Sequence, residues 1–462
     1  MRGLRSTALM LTLFLALGGY AYFIESERPP ASAADAPEQA FDLESDAIVS
    51  LTVTADNGDI TEVSRETPGD DSWTVTAPFT ATADGNAASA IANSLASLEV
   101  RRVVVEDEAA DLSLFGLSEP AFTVAFDTEE GTESLVVGDE TPTGSDRYAH
   151  VRGTARVFLI ASFLESTLNR TSFDLRDRSL LEFTGPNVGS LVIEQDASTI
   201  RFGKADGEWR VIDPVTARAD FGIVEALVGR IGSAEMVAVE RESIDTTQGS
   251  DLEPFALDDP QMTVTVETGD ERHVLLIGDE SPDGTVYSRD ASRSIVFTMD
   301  AALFDDLARD VGTYRKKELF DFRPFNATGV TVVRDGNSYR FEKGTLDDDV
   351  NSESGEVWRQ TEPDERTVEQ PALDNLLAKL SGLRAESFVD SRAGTGLDAP
   401  LATVTATFGD GQEEVVTIGW SGDTHHAVHG DEPGAGIVDS IAIDEALGAI
   451  DAALGTSADA AP

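Results

Sequence analysis

The stretch Leu117-Ser118-Glu119-Pro120 decides the fold, because it recurs twice at a fixed spacing. It returns 140 positions later as Leu257-Asp258-Asp259-Pro260, and after another 140 positions as Leu397-Asp398-Ala399-Pro400. Similarity at a fixed period is typical of a tandem array of one structural unit. The sequence therefore predicts three consecutive copies of a unit of about 140 residues.

A second marker recurs at nearly the same spacing as the first. It reads Val137-Gly138-Asp139-Glu140, then Ile277-Gly278-Asp279-Glu280, and in the third copy Ile418-Gly419-Trp420-Ser421. Neighbouring residues of a strand point to opposite faces, so Asp and Glu side by side do not form a natural pair for acid–base chemistry or calcium. With Pro142 and Gly144 close by, we predict ordinary hairpin turns.

Each unit combines short strands with two amphipathic helices. In the first unit, residues 48–53 alternate with the period of a strand, and residues 86–98 place apolar side chains at helical spacing. Runs of strands without a helix between every two favour antiparallel sheets with helices on one face. One tryptophan per unit, at Trp73, Trp209 and Trp358, is expected in the core.

The predicted fold class is therefore α+β: three tandem repeats of short antiparallel strands with two amphipathic helices each, after an N-terminal transmembrane helix. Length and repeat count agree on three units. The expected boundaries are 1–25 for the signal anchor, 26–43 for a linker, 44–178, 179–319 and 320–456 for repeat units 1, 2 and 3, and 457–462 for a tail.

Charge and composition exclude some functions. The 462 residues include 34 Lys and Arg against 85 Asp and Glu, a net charge of −51, which disfavours binding to nucleic acid. Such a surface suits a salt-exposed compartment, and a cationic ligand or basic partner is the alternative. Because cysteine is absent, disulfides, a thiolate nucleophile, Cys-based metal sites and a lipoprotein anchor are excluded.

The N-terminus predicts a membrane location. Arg2 and Arg5 precede an apolar run over residues 8–24, which acidic residues follow. This order favours a single-pass anchor in the inner membrane, with a cytoplasmic N-terminus and the bulk of the chain extracytoplasmic. A cleaved signal peptide is the other interpretation, since small residues at 31–33 resemble a cleavage site.

Three of the five histidines are close together, at His425, His426 and His429. With acidic neighbours, these imidazoles are the weak candidates for a metal site. However, the segment aligns with hairpins that carry Tyr148 and Tyr287 in the other units, which favours a surface or half-buried hairpin. No motif for catalysis or cofactor binding is recognisable. We therefore expect no enzyme, no cofactor and no metal.

Basic residues concentrate at the joints between units in this otherwise acidic chain: Arg176 and Arg178, then Arg315, Lys316 and Lys317. We predict that they bridge acids of the following unit. A strip that docks a partner is the alternative interpretation.

Several segments together resemble the bacterial family designated domain of unknown function 4340 (DUF4340). They are Arg2-Gly3-Leu4-Arg5-Ser6-Thr7 with Tyr22-Phe23-Ile24-Glu25, Val137-Gly138-Asp139-Glu140-Thr141-Pro142 with Tyr148, residues 173–181, and Trp209 with Pro214. The resemblance implies a membrane-tethered partner of an ABC-type transport system of the gliding-motility kind. It carries over no catalytic residues.

The functional expectation is a non-catalytic, membrane-anchored extracytoplasmic interaction module. It would be held in the inner membrane by its N-terminal helix and would serve ABC permease or ATPase subunits. A periplasmic substrate- or glycan-binding protein is the second hypothesis, and aromatic residues lining an exposed cleft would favour it. A metal-dependent hydrolase built on the three histidines is a third.

Overall fold

A computed structural model describes residues 38–106, 111–196, 198–245, 251–345 and 356–455. The chain forms two compact units, Met1–Arg178 and Ser179–Pro462. The first unit contains one β-sheet and the second contains two, and each sheet has nine strands. We refer to the chain segments that build the three sheets as repeats 1, 2 and 3.

All three sheets have the same strand order, and every described pair of neighbours is antiparallel. In repeat 1 the order is β4-β3-β2-β1-β6-β7-β8-β9-β5, and repeats 2 and 3 follow the same path with β10–β18 and β19–β27. The strands of repeat 1 are β1 (Ser50–Thr54), β2 (Ile60–Ser64), β3 (Thr74–Ala77), β4 (Ala81–Thr82), β5 (Arg102–Val105), β6 (Phe122–Thr128), β7 (Gly131–Glu140), β8 (Asp146–Val151) and β9 (Val157–Ala161).

The strands of repeats 2 and 3 have similar lengths. Those of repeat 2 are β10 (Val188–Gln195), β11 (Ser198–Ala205), β12 (Glu208–Asp213), β13 (Ala217–Arg218), β14 (Ala238–Arg241), β15 (Met262–Thr268), β16 (Glu271–Glu280), β17 (Val286–Asp290) and β18 (Val296–Met299). Those of repeat 3 are β19 (Ala327–Arg334), β20 (Asn337–Thr345), β21 (Glu356–Glu362), β22 (Arg366–Thr367), β23 (Ala385–Val389), β24 (Ala402–Phe408), β25 (Gln412–Ser421), β26 (Thr424–His429) and β27 (Ala435–Val438).

One amphipathic helix in each repeat connects the two edges of the sheet. It follows the fourth strand, at one edge, and leads into the fifth strand, at the other edge. The periodicity in the sequence predicts this helix, and its buried apolar stripe covers one sheet face. The eight helices that the described residues form are α1 (Gly85–Ala96), α2 (Glu165–Leu168), α3 (Ser172–Leu175), α4 (Phe221–Ser233), α5 (Ala301–Leu307), α6 (Val311–Tyr314), α7 (Gln370–Ser381) and α8 (Ser440–Leu454).

The glycine of the second marker packs against the backbone just before or at the start of the first marker. Gly138 lies at a bulge near the end of β7, and a Cβ atom there would overlap the carbonyl oxygen of Phe115, just before Leu117. In repeat 2, Gly278 meets the carbonyl of Phe255 in the same way, and in repeat 3 Gly419 lies against the backbone of residues 395–397. Only glycine permits this approach, because any side chain would occupy the same space.

The predicted hairpin turn lies just beyond the marker. In repeat 1 the backbone N–H of Gly144 donates to the carbonyl of Thr141 at 2.8 Å, and Gly144 has a φ of 73°. Gly284 of repeat 2 has a φ of 79° and donates to Ser281 in the same way. The prediction of a turn at the Pro-x-Gly segments is confirmed, while Gly138-Asp139-Glu140 itself is the end of a strand.

The repeat prediction is confirmed, but the α+β class is wrong. Strands account for 42% of the structure and helices for 22%, so the protein is mostly β. The sequence does not reveal the fourth and fifth strands of each sheet. The fourth strand has two residues, too few to show a period of two, and the fifth, such as β5 with its Arg-Val-Val-Val sequence, does not alternate.

The predicted transmembrane helix and single-pass location in the inner membrane are also corrected. Among the residues described, no helix is long and apolar enough to cross a membrane. The longest of these helices, α8, has 15 residues and carries Asp444, Glu445 and Asp451, whereas a membrane span needs about 20 mostly apolar residues. The predicted anchor at 1–25 and the linker up to residue 37 lie outside the described residues.

Candidate functional site

The chain segment that joins repeats 2 and 3 pairs with both of their sheets. Arg315 forms a β-bridge with Ala219, next to β13, and three residues later Glu318 forms one with Arg384, next to β23. Backbone hydrogen bonds from Lys316 to Arg218 and from Ala385 to Lys317 complete the connection. This path brings the ends of β13 and β23 to the joint and gathers the charged side chains around it.

Glu432 is the central acid of this junction. It lies in the loop between β26 and β27, and its Oε1 accepts hydrogen bonds from the backbone N–H of Arg218 at 3.0 Å and from Nε of Arg218 at 2.9 Å. Its other oxygen lies 3.8 Å from Nη2 of Arg315. The side chains of Arg218 and Glu432 are only 14% and 13% exposed, so this ion pair is largely withdrawn from water.

Arg315 itself is buried in the same junction. Its side chain is 3% exposed, and its guanidinium carbon lies 3.9 Å above the ring of Phe388 on β23. Burial lowers the pKa of Arg315 from its ordinary value, because leaving water disfavours the charged form, while Glu432 opposes this effect. The cation is therefore held by an aromatic face and an acid of repeat 3.

Asp321 receives two cations. Nζ of Lys316 forms an ion pair with Oδ1, and Nη1 of Arg218 lies 3.3 Å from Oδ2. Burial alone would raise the pKa of Asp321, but the hydrogen bond from Lys316 and the charge of Arg218 outweigh burial and lower it below its ordinary value. The prediction that Arg315 and Lys316 bridge acids of the next repeat is confirmed. Arg176, in unit 1, stacks on Phe79 at 4.2 Å.

Asp321, Glu414 and His429 together form the one group with metal-ligand chemistry found among the described residues, and their ligand atoms lie within 4.8 Å of one another. Glu414, on β25, accepts the backbone N–H groups of Asp321 at 2.7 Å and Phe322 at 2.8 Å, one on each oxygen. Nε2 of His429 lies 3.6 Å from Glu414. Because the carboxylates already accept from amides, Lys316 and Arg218, the cluster is internally neutralised.

The three candidate histidines do not meet. They all lie on β26, where His425 and His426 are adjacent and therefore point to opposite faces. His425 shares a hydrogen bond of 3.0 Å with Ser440, and His426 is buried. His429 lies four positions from His425, about 13 Å along a strand, and joins the junction cluster. A hydrolase that uses all three on one metal ion would need side chains that this strand separates.

His426 occupies the tyrosine position of the other repeats, as the alignment predicts. It pairs with Ile437 as Tyr287 pairs with Thr298 and Tyr148 with Leu159. In repeats 1 and 2 this tyrosine packs on a phenylalanine, with ring centroids 5.1 Å apart for Phe115–Tyr148 and 5.0 Å for Phe255–Tyr287. Repeat 3 has neither the phenylalanine nor the tyrosine here, but Thr395 and His426.

The β25–β26 hairpin of repeat 3 also ends differently. Only Gly422 and Asp423 separate its paired residues Ser421 and Thr424, whereas the corresponding loop of repeat 1 spans residues 141–145. At the tip, Trp420 is 54% exposed and stacks on His425, which pairs with it across the hairpin, at 6.5 Å. Ile441, in the first turn of α8 and next to Ser440, is 69% exposed. We refer to Trp420, His425, Ser440 and Ile441 as the tip patch.

The other tryptophans have no part in a binding surface. Trp73, Trp209 and Trp358 are each 2% exposed, which confirms the prediction that they belong to the core. A cleft of about 820 Å³ at the start of repeat 2 is lined by Phe183 with polar residues such as Glu182, and by none of the tryptophans. This cleft therefore lacks the stacked aromatic residues that would favour a glycan-binding protein.

Sequence reasoning missed most of the junction. Arg218 and Glu432 are 214 positions apart, and Asp321 and Glu414 are 93 apart. In a chain with 85 acidic residues, neither Glu414 nor Glu432 is distinguished by its type. Trp420 did carry a signal, because it replaces the Asp of Gly-Asp-Glu in the otherwise repeated marker.

These features define the class of the protein: a mostly β tandem array of three nine-stranded antiparallel sheets, with a charged junction inside its second unit. The pattern of the family described as domain of unknown function (DUF4340) matches residues 73–213 and 209–400. The matches cover well over half of the chain, and the chain belongs to this family. The predicted family is thereby confirmed.

Comparisons with curated proteins and with solved structures do not indicate a function for this chain. A search of curated proteins found no match. Among solved structures, the DNA polymerase sliding clamp from Pseudomonas aeruginosa, crystallised with a ligand, is 9% identical over 88% of this chain and 94% of the clamp chain. Its TM-score is 0.13, so this similarity supports no conclusion about the fold or the activity.

Proposed function

We propose that this protein is a non-catalytic interaction module. The observation that carries this proposal is that the acids at the junction between repeats 2 and 3, which we call the junction cluster, already have partners within the chain. Its acids, Asp321, Glu414 and Glu432, already accept from amides or cations of the same chain. These contacts orient the three carboxylates toward groups of the same chain, whereas a general base or a nucleophile is directed at a substrate. The cluster instead stabilises the joint between two sheets.

The repeated residues support the same proposal. The glycines of the second marker are taken up by backbone contacts, and the three repeated tryptophans are buried. Trp420 and Ile441 of repeat 3, by contrast, lie on the surface. Repeated residues that serve packing, together with exposed apolar residues such as these, favour recognition of partners, which needs no reacting centre.

The family resemblance extends this proposal to a class of partner. We propose that the module is an accessory component of an ABC-type transport system, which it would serve through its exposed surfaces. The resemblance supports this role, and the acidic surface is compatible with protein partners because it disfavours only anionic ones such as nucleic acid.

The test is affinity purification of the tagged full-length chain from its native cells after chemical cross-linking, followed by mass spectrometry. We expect ABC permease or ATPase subunits in amounts comparable to the bait, and none with the tag alone. Recovery of other partners in such amounts would keep the interaction module but remove the transport role. A chain recovered alone, or one that hydrolyses substrates with added metal, would contradict the proposal.

A further inference from the structure

Trp420 is the exception among the four tryptophans of this chain. The other three are each 2% exposed. Trp420 is 54% exposed and lies near the tip of a hairpin whose loop has two residues. It stacks on His425, and the exposed Ile441 lies one residue beyond Ser440, the hydrogen-bond partner of His425. The tip patch therefore presents an indole and an aliphatic side chain together to the solvent.

The surroundings of the tip patch are strongly acidic. Residues 393–462 contain twelve Asp and Glu residues and no Lys or Arg. Several of these acids are exposed close to the patch in sequence: Asp423 forms the hairpin turn, Asp439 caps the start of α8, and Asp444 follows in its first turns. An exposed indole among carboxylates attracts a cation, because the ring face and the acids act in the same direction.

Elsewhere the chain supplies such cations itself. Arg65 lies 4.6 Å above the ring of Trp73, and Lys204 lies 5.3 Å from that of Trp209. The last 70 residues have no Lys or Arg to offer to Trp420. Repeats 1 and 2 carry Asp139 and Asp279 at the corresponding position, so the fold does not require an aromatic residue there.

We infer that the tip patch docks an arginine-bearing segment of a partner protein. The guanidinium would stack on the indole of Trp420 while carboxylates of the hairpin and α8 pair with it, and an adjacent apolar side chain would cover Ile441. Arginine fits better than lysine, because its planar cation both stacks and forms forked hydrogen bonds. This inference rests on the proposed function and names the surface and the chemistry of the partner.

The test uses the full-length protein and a blocked hexapeptide of alternating Arg and Leu, with a Glu–Leu peptide as its control. Binding is followed by calorimetry and by tryptophan fluorescence, to which the exposed Trp420 responds directly. For Trp420→Asp, which installs the residue of repeats 1 and 2, we expect the affinity to fall about tenfold. The matched control Phe325→Asp removes an aromatic residue that is 81% exposed in the same repeat and should bind like the wild type.

The direction of the Trp420→Asp effect separates recognition from simple charge attraction. Because this substitution adds a negative charge, non-specific attraction of the peptide would become stronger. An unchanged or higher affinity of Trp420→Asp, or equal binding of the Glu–Leu peptide, would overturn the inference. Recovery of transport subunits by wild type and Trp420→Asp alike would also overturn it and leave the proposed function standing. Recovery of no partner by either protein, with the peptide still bound at Trp420, would reject the function alone.

Discussion

Repeats 2 and 3 form sheets with the same strand order, but the ends of their corresponding hairpins differ. In repeat 2, Gly278 lies against Phe255, whose ring packs on Tyr287. In repeat 3, Gly419 keeps the backbone contact, while the residue after it becomes an exposed tryptophan. The difference teaches that the fold fixes the glycine and leaves the next position open to surface chemistry.

The loop before the ninth strand, which is β18 in repeat 2 and β27 in repeat 3, is a second difference between these repeats. Repeat 2 carries Arg293 there, whose guanidinium donates to the backbone carbonyls of Ser179 and Leu180 at the start of its own repeat. The corresponding residue of repeat 3 is Glu432, which accepts from Arg218 of the preceding repeat. The inverted charge converts a contact within one repeat into a contact that joins two.

The largest effect should come from breaking that joint. Glu432→Ala would remove the acid that contacts both Arg218 and the buried Arg315, and would leave Arg218 its longer contact with Asp321. We expect a loss of about 3 kcal/mol in the free energy of unfolding. Urea titration of the full-length chain measures it. Glu342→Ala, which breaks an exposed pair with Arg340, is the control and should cost less than about 0.5 kcal/mol. Equal losses in the two variants would contradict a structural role for the junction.

The shared glycine comes next. Gly278→Ala should cost about 2 kcal/mol, because the new methyl group would overlap the backbone of Phe255. Gly419→Ala should also destabilise, since its Cβ would lie 2.7 Å from the backbone nitrogen of Leu397. Thermal unfolding followed by circular dichroism compares them with Gly229→Ala, in helix α4, where nothing lies within 4 Å and alanine should stabilise by up to about 1 kcal/mol. If Gly278→Ala left the free energy of unfolding unchanged, the close contact between Gly278 and the backbone of Phe255 would be contradicted.

A smaller, pH-dependent effect should belong to Asp321. Its pKa in the folded protein is below the ordinary 3.8, so the carboxylate contributes its full stability above that pH and loses it as the pH falls through the folded value. We expect Asp321→Asn to lower the free energy of unfolding by about 1 kcal/mol at pH 6. This difference from the wild type should shrink as the pH is lowered to 3. A difference that stays constant with pH would mean that the charge of Asp321 does not matter.

The smallest effect on stability is expected for Trp420→Asp. The side chain is largely exposed and the substitution recreates a residue that repeats 1 and 2 accept, so the free energy of unfolding should change by less than about 0.5 kcal/mol. A comparison of its free energy of unfolding with that of Gly419→Ala tests whether Gly419 belongs to the packed core while its neighbour Trp420 belongs to the surface. A loss as large as that of Gly419→Ala would place Trp420 in the core and remove the contrast with repeat 2.

Local patterns in the sequence predict much of this fold. The helical spacing of residues 86–98 corresponds to α1 at Gly85–Ala96. The sequence did not reveal the fourth strand of each sheet, because two residues show no period. It also did not reveal the edge strands β5, β14 and β23, which pair with strands distant in sequence and have no clear period of their own.

The sequence by itself determined the number of repeats, their spacing, the family and the burial of one tryptophan in each, because fixed-period glycine, proline and aromatic residues report local requirements of the chain. Only the tertiary structure decided which charges meet. Arg218 reaches Glu432 across 214 positions, through the register of two sheets and the joint between them. One carboxylate among 85 acquires its role from the partners that folding places beside it, and that placement leaves no local pattern to read.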